Sequence, residues 1–145
     1  MEKIRAKAVC LFRRDGKILL AELFKLKGQP SEKPEPFVIP VGGGVEFGEH
    51  SKDAAIRETL EEISAVVLNI RLLGVVENIF SYDGRPHHEI VFVYEGDLED
   101  ETLYELEVVP GIEDNGQTFT CRWFDIKWLR EGHISFSPAG IIDML

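Results

Sequence analysis

A glycine-rich loop that runs straight into a helix with an acidic face constrains this chain more than any other stretch. Residues 43–65 read GGVEFGEHSKDAAIRETLEEISA. Glu58, Glu61 and Glu62 fall at i, i+3 and i+4, the spacing that brings side chains together on one side of a helix. Ile56, Leu60 and Ile63 follow i, i+4, i+7 and fall on the opposite side, about 100° of rotation being added per residue. The pattern predicts one buried apolar face and one face that concentrates carboxylates. Like charges at this spacing destabilise an isolated helix by a few tenths of a kcal/mol per pair. A cation between them converts that repulsion into binding. Hard divalent ions such as Mg²⁺ take oxygen ligands, commonly one or two carboxylates together with substrate phosphates.

The rest of the chain fits one helix packed on a β framework. Residues 3–13 alternate, with Ile4, Ala6, Ala8, Cys10 and Phe12 on one face and Lys3, Arg5, Lys7 and Arg13 on the other, among which lie Val9 and Leu11. That is the pattern of a half-buried strand. Asp15-Gly16 signals a hairpin turn, and Lys17 to Phe24 supplies the returning strand. Residues 25–36 are polar and rich in Pro, Gly and Lys, as a surface loop requires. Phe37 to Pro40 is a short apolar strand, and Gly42, Gly43 and Gly44 follow where backbone must approach a ligand closely. The helix is expected from His50 or Ser51 to about Ser64, with Ser51 as N-cap and Asp53 in the first turn. Val66 to Phe80 is β-rich, with Gly74 marking a bulge. Asp83-Gly84 is a second hairpin signal, His88 to Tyr94 a strand, Leu103 to Val109 another, Pro110 to Gly116 a turn-rich loop and Thr118 to Phe124 a further strand. Asp125 to Arg130 and Pro138 to Met144 read as short helices. With neither repeats nor a break in composition, residues 1–145 read as a single α/β domain with a mixed sheet flanked by helices.

Composition narrows the function. The 145 residues carry 26 acidic and 16 basic side chains, a formal charge of −10. A nucleic-acid backbone binder needs a basic footprint, so this balance argues against nucleic acid and against anionic membranes as partners. A small phosphorylated substrate is compatible, because a bound metal inverts the local field. Cys10 and Cys121 are far apart and sit in no CxxC or His-rich context, which reads as two reduced thiols in a cytoplasmic, reducing compartment. The N-terminal stretch has charges inside its apolar residues and resembles neither a secretory signal nor a membrane span.

The 43–65 stretch resembles the Nudix box, whose pattern is Gly, five residues, Glu, seven residues, then Arg-Glu-apolar-x-Glu-Glu-x-Gly-apolar. Gly43, Glu49, Arg57, Glu58, Glu61 and Glu62 occupy its fixed positions at the right spacing. Thr59 stands where the family has an aliphatic residue, Ser64 where it has glycine, and Ala65 at the last apolar position. The family's proline directly before its glycine pair is here one residue earlier, at Pro40. The resemblance implies an α/β/α sandwich with a mixed central β-sheet and a Mg²⁺-dependent hydrolase, with Mn²⁺ able to substitute. Its substrate would be a nucleoside diphosphate linked to a second group X, cleaved at the diphosphate. Such metal ions neutralise phosphate oxygens and align attack with the leaving group. The resemblance also implies Glu58, Glu61 and Glu62 as metal ligands, joined by the backbone carbonyl of Gly42. Arg57 and Glu58 would carry the chemistry, Arg57 by fixing Glu58 or Glu49 through a salt bridge, and Glu49 and Gly43 would hold the loop.

A general base is left to find. Family members draw a further glutamate from a loop about six residues before a late tryptophan. Counting back from Trp123 reaches Gln117, which is a poor proton acceptor, so Glu113, Asp114 and Glu89 stand as candidates. Gln117 also leaves room for a second reading, a non-hydrolytic module of the same fold that senses a nucleotide. A third, an isoprenyl diphosphate isomerase, would want a cysteine at the site. His87 and His88 are adjacent and face opposite sides of a strand, which does not make a zinc site. Phe80, Tyr82 and Phe92 are candidates to stack on a base. A homodimer is the commonest symmetric assembly for a chain of this kind.

Overall fold

The computed structural model describes residues 2–25, 33–82 and 84–145. Among the described residues ten strands, β1 (Ile4–Leu11), β2 (Arg13–Arg14), β3 (Lys17–Lys25), β4 (Glu35–Ile39), β5 (Val41–Gly44), β6 (Val67–Tyr82), β7 (Arg85–Leu98), β8 (Val108–Ile112), β9 (Thr118–Asp125) and β10 (Ser135–Phe136), are joined by two α-helices, α1 (Ser51–Ile63) and α2 (Ile126–Arg130). Two 3-10 turns complete the elements, Glu101–Glu105 and Ala139–Met144.

The strands form two mixed sheets. One has the order β5-β1-β7-β6, with β1 and β7 parallel and the outer pairs antiparallel. The other has the order β10-β4-β3-β9-β8, with β2 on β3 and only β10–β4 parallel. The mixed α/β architecture expected from the sequence is present, its strands shared between two hydrogen-bonded sheets. Gly74 lies at a register shift between β6 and β7, as the bulge reading requires.

β1 is only partly the half-buried strand its alternation indicates. Ile4 is exposed, yet Ala8, Val9, Cys10 and Leu11 are all buried. The strand is central in its sheet, and its two faces feed two separate cores. Ala8 and Cys10 pack in one with Ala54, Ala55 and Ile63 of the helix, while Val9 and Leu11 pack in the other with Ile18, Leu20, Val38, Val91 and Val93. Burial of both faces selects apolar residues at consecutive positions rather than alternate ones.

The buried face of α1 also differs from expectation. Leu60 is 52 % exposed, whereas Glu58 is 5 % exposed and Thr59 is fully buried. Ala54, Glu58, Glu62, Ala55, Thr59 and Ile63 share one half of the helix circumference at about 100° per residue. Small residues let the backbone approach the strands closely, and Thr59 removes its hydroxyl from competition by donating to the Ala55 carbonyl at 2.8 Å. The helix is therefore turned so that two of its three glutamates point inward. Its N-cap is His50, without a side-chain cap bond, and not Ser51, whose hydroxyl instead pairs with that of Tyr94 at 2.6 Å. Ser64 closes the helix in the left-handed region at φ 55°, the conformation for which the family's glycine would be favoured.

The expected strand Leu103 to Val109 is not formed as such. Asp100 accepts from the Thr102 amide and starts a 3-10 turn over Glu101–Glu105, and the strand begins at Val108 and runs through Pro110 to Ile112. Proline is tolerated there because β8 is the edge of its sheet, where one side of the ladder is open. Residues 26–32 of the expected surface loop, and Asp83 of the second hairpin signal, lie outside the described residues.

Candidate active site

Three elements bring the chemical residues together: the β5 glycines, the inward face of α1, and the β8–β9 hairpin. β5 lies antiparallel against β1, with Val9 opposite Gly42 and Lys7 opposite Gly44. A Cβ on Gly42 would stand 2.2 Å from the Ala8 carbonyl oxygen, and one on Gly43 would stand 2.4 Å from the Glu58 carboxyl carbon. Gly42 thus lets β5 lie close on β1, and Gly43 creates the space that the Glu58 carboxylate fills.

Arg57 ties this arrangement together. Its Nε and Nη2 donate to the two carboxylate oxygens of Glu49 at 2.8 and 2.9 Å, a bidentate pair. Nη2 also donates to the Gly44 carbonyl at 3.0 Å, and Nη1 donates to Glu58 at 2.9 Å and Glu61 at 3.2 Å. Glu49 in turn accepts from the Glu46 amide at 3.1 Å. One guanidinium therefore fixes the loop, the loop-to-helix junction and two glutamates. Bidentate geometry is something a lysine could not reproduce. The Arg57 pair drives the Glu49 carboxyl down to about 2, with the Glu46 amide assisting. The same partner, Glu49, with Glu58, raises Arg57 above its ordinary range.

On the other side of Glu58 the situation is reversed. Glu62 is half-buried against it, and desolvation, then the neighbouring Glu58 carboxyl, push Glu62 up to about 9, with Lys7 pulling in the opposite direction. Two carboxyls this crowded either share a proton or share a cation.

The β8–β9 hairpin closes the site. Its turn is fixed by the Glu113 amide donating to the Gln117 carbonyl at 2.8 Å and by Asn115 accepting from the Gln117 amide at 2.9 Å. Asp114 is thereby aimed at the helix: carboxylate oxygens of Glu58, Glu61 and Asp114 all lie within 4.8 Å of one another. Glu58, Glu62, Glu113, Asp114, Arg5, Lys7 and Gly42 to Gly44 line a cleft of about 470 Å³. This donor set, all hard oxygen, fits a divalent cation of the Mg²⁺ type. Gln117 is exposed and engaged with Asn115. Glu89 is buried beside Lys7 at 3.5 Å, and Glu113 lines both the acidic cleft and a neighbouring apolar one.

That neighbouring cavity, about 270 Å³, is lined by Leu23, Phe37, Phe80, Tyr82 and Val91, with Asn78 contributing an amide. Of the three aromatic candidates, Phe80 and Tyr82 are here, while Phe92, opposite Ala8 in the β1–β7 register, packs against the core. His87 stacks on Phe80 at 4.9 Å between centroids, and His88 lies 3.3 Å from Glu77. Cys10 and Cys121 are free and buried, and burial pushes both thiols up to about 12, so they stay protonated at neutral pH. Neither is among the residues lining the cleft, which removes the support an isomerase would need.

Lys7 and Arg5 were not among the sequence candidates. Their alternation in β1 places them on one face, but a polar strand face looks the same whether it meets solvent or a site. The signal that separates the two is the pairing of β1 with the glycine strand.

A loop and helix here organise carboxylates around a cleft, a donor set that suits a divalent cation, and comparison with known proteins identifies the family. The chain belongs to the NUDIX family: the family description "NUDIX domain" matches residues 2–143. Among solved structures it is similar to a NUDIX hydrolase from Nitrosomonas europaea, at 20 % identity and TM-score 0.64, over 98 % of this chain and 86 % of that one. It is also similar to a MutT NUDIX hydrolase from Burkholderia pseudomallei, at 26 % identity and TM-score 0.61, over 87 % and 86 % of the two chains. A MutT protein from Bacillus halodurans shares the fold at 16 % identity and TM-score 0.60, over 97 % and 79 %. The enzyme is thus a NUDIX hydrolase, of the class that cleaves pyrophosphate linkages.

Proposed function

We propose that this hydrolase is Mg²⁺-dependent, with Mn²⁺ able to substitute, and that it cleaves the diphosphate of a nucleoside diphosphate linked to a second group X. The observation that carries this reading is the convergence of Glu58, Glu61 and Asp114 within 4.8 Å on a cleft floored by glycine backbone. Glu58 and Glu61, with Glu62 behind them and the Gly42 carbonyl at the edge, would hold the cation, and Asp114 joins this set from the hairpin. When bound, the cation supplies charge neutralisation on the phosphate oxygens and an activated water.

The remaining roles fall to the chain itself. Arg57 positions Glu58 and Glu61 through Nη1 and spends its other donors on Glu49 and Gly44, so the ligand rotamers are set before substrate arrives. Lys7, at the back of the cleft, faces the substrate phosphates. Glu113, at the junction of the acidic and apolar cavities, is placed to take the proton from water. Glu89 is less suited, since Lys7 already occupies it. The nucleoside or X enters the apolar cavity, where Phe80 and Tyr82 offer stacking surface and the Asn78 amide offers hydrogen bonds. The free, buried thiols suit a reducing compartment such as the cytoplasm, and the described residues include no helix long and apolar enough to cross a membrane.

The test is a panel of nucleotide diphosphate derivatives (ADP-ribose, dinucleoside polyphosphates, nucleotide sugars and oxidised nucleoside triphosphates) incubated with Mg²⁺ or Mn²⁺, products being separated by chromatography. We expect hydrolysis of at least one, abolished by saturating EDTA. Turnover that survives EDTA would overturn the proposal.

A further inference from the structure

The chain is strongly acidic overall, yet its cations are not evenly placed. Of its eight arginines, six are engaged. Arg13, Arg14, Arg57, Arg71 and Arg122 are paired with glutamates, and Arg130 donates to the Leu145 carbonyl. The other two, Arg5 and Arg85, have no acidic partner within 4.0 Å among the described residues. Both line one cavity of about 470 Å³, with Lys3, His87 and His88.

Strand geometry explains the convergence. Arg5 and Lys7 share a face of β1, and Arg85, His87 and Glu89 share a face of β7, because side chains alternate with period two. The Lys7–Glu89 contact at 3.5 Å shows that the two faces are the same face of the sheet. Arg5 is opposite Glu89 in the parallel register, so Arg5 and Arg85 lie toward the same strand ends. Among the described residues the carboxylates lining the cavity are Glu2 and Glu89, and Glu89 is paired with Lys7. Lys3, Arg5 and Arg85, all exposed, make the cavity a locally positive surface on an acidic chain, open to an anion. Arginine's forked donors match a phosphate bidentately.

Arg5 also lines the acidic cleft. The cationic cavity therefore adjoins the acidic cleft, with which it shares Arg5, and the apolar one, with which it shares Glu89. We propose that this cavity binds a second phosphate of the substrate, distal to the scissile linkage and held by Arg5 and Arg85. This rests on the hydrolase reading above and refines it: the substrate carries a flat or apolar group for the Phe80–Tyr82 cavity and a further phosphate for the Arg5–Arg85 cavity.

The first test needs no turnover. Inorganic phosphate is titrated into the metal-free protein in EDTA, and amide and arginine Nε signals are followed by NMR. Saturable shifts are expected at Arg5, Arg85 and the neighbouring histidines, about tenfold weaker in Arg85→Gln and in Arg5→Gln, and as in the wild type in Arg122→Gln. Non-saturable shifts, shifts located elsewhere, or equal titration of wild type and Arg85→Gln overturn the proposal. A failure here leaves the EDTA result of the preceding section standing, so the two readings fail separately. The second test uses whichever substrate is hydrolysed. Phosphate should raise KM at constant kcat, and the competition should weaken about tenfold in Arg85→Gln. An effect on kcat alone would mean a regulatory anion site and would overturn the substrate assignment.

Discussion

Glu49 and Glu62 belong to the same motif, thirteen residues apart, and their surroundings drive them in opposite directions. Glu49 receives both of its oxygens' partners from Arg57 and a third bond from the Glu46 amide, and its carboxyl falls to about 2. Glu62 is desolvated against another carboxyl and rises to about 9. Arg57 accounts for the Glu49 side of the asymmetry, and burial, with the Glu58 carboxyl, for the Glu62 side. The arginine neutralises the loop side of the site and reaches Glu58 and Glu61 with a single nitrogen, leaving the inner side short of positive charge. The first region holds the scaffold rigid without help. The second, on the proposed reading, would be completed by a cation. In this motif the arginine stabilises the frame and leaves the remaining carboxylates free for the metal role proposed above.

The largest effect should come from the unbalanced side. Glu61 is exposed, so Glu61→Gln should leave the thermal midpoint within a few degrees of wild type while kcat falls roughly 10²- to 10³-fold, as read by steady-state kinetics at saturating Mg²⁺. Gly43→Ala attacks the same group by displacement. The added Cβ would stand 2.4 Å from the Glu58 carboxyl carbon, and moving that carboxyl by about an ångström should lower kcat/KM roughly 10²-fold. Arg57→Lys keeps the charge but loses the fork. Mn²⁺ affinity, measured by electron paramagnetic resonance, should weaken roughly 10- to 100-fold.

The smallest effect belongs to the balanced side. Because the folded Glu49 carboxyl lies at about 2, below its ordinary 4.5, its stabilising contribution is complete above pH 4.5 and is lost as pH falls from there toward 2. Urea midpoints across that window should fall more steeply in wild type than in Glu49→Gln. Parallel slopes would mean that the Arg57–Glu49 pair contributes little to the fold.

The sequence disclosed these two regions unequally. The helix bounds, the glycine loop and the identity of the acidic residues follow from spacing, which is local and regular. The orientation of α1 does not, because its inward face is made of Ala54, Ala55 and Thr59, small residues that a hydrophobic pattern ranks below Leu60. What brings them inward is the missing side chain of Gly43, which accommodates Glu58, and no periodicity reports that. From sequence Asp114 stands as one of three candidate bases and not as a metal ligand, because its place beside Glu58 and Glu61 depends on a hairpin turn fixed by Asn115 and Gln117, far along the chain from α1. The 3-10 turn at Glu101–Glu105 escaped for a similar reason: Asp100 caps it locally within a run whose composition suits a strand. The pairing of β1 with β5 is long-range, so Lys7 and Arg5 read as solvent-facing until the glycine strand is laid beside them.

The central claim is that the carboxylates left unbalanced by Arg57 hold a divalent cation. It is tested most directly by calorimetric titration of Mg²⁺ into metal-free protein, comparing wild type with Glu58→Gln and Glu61→Gln. Saturable binding by the wild type, weakened at least about tenfold in each variant, is the expected result. Identical titrations of all three proteins, or no saturable binding by the wild type, would contradict it.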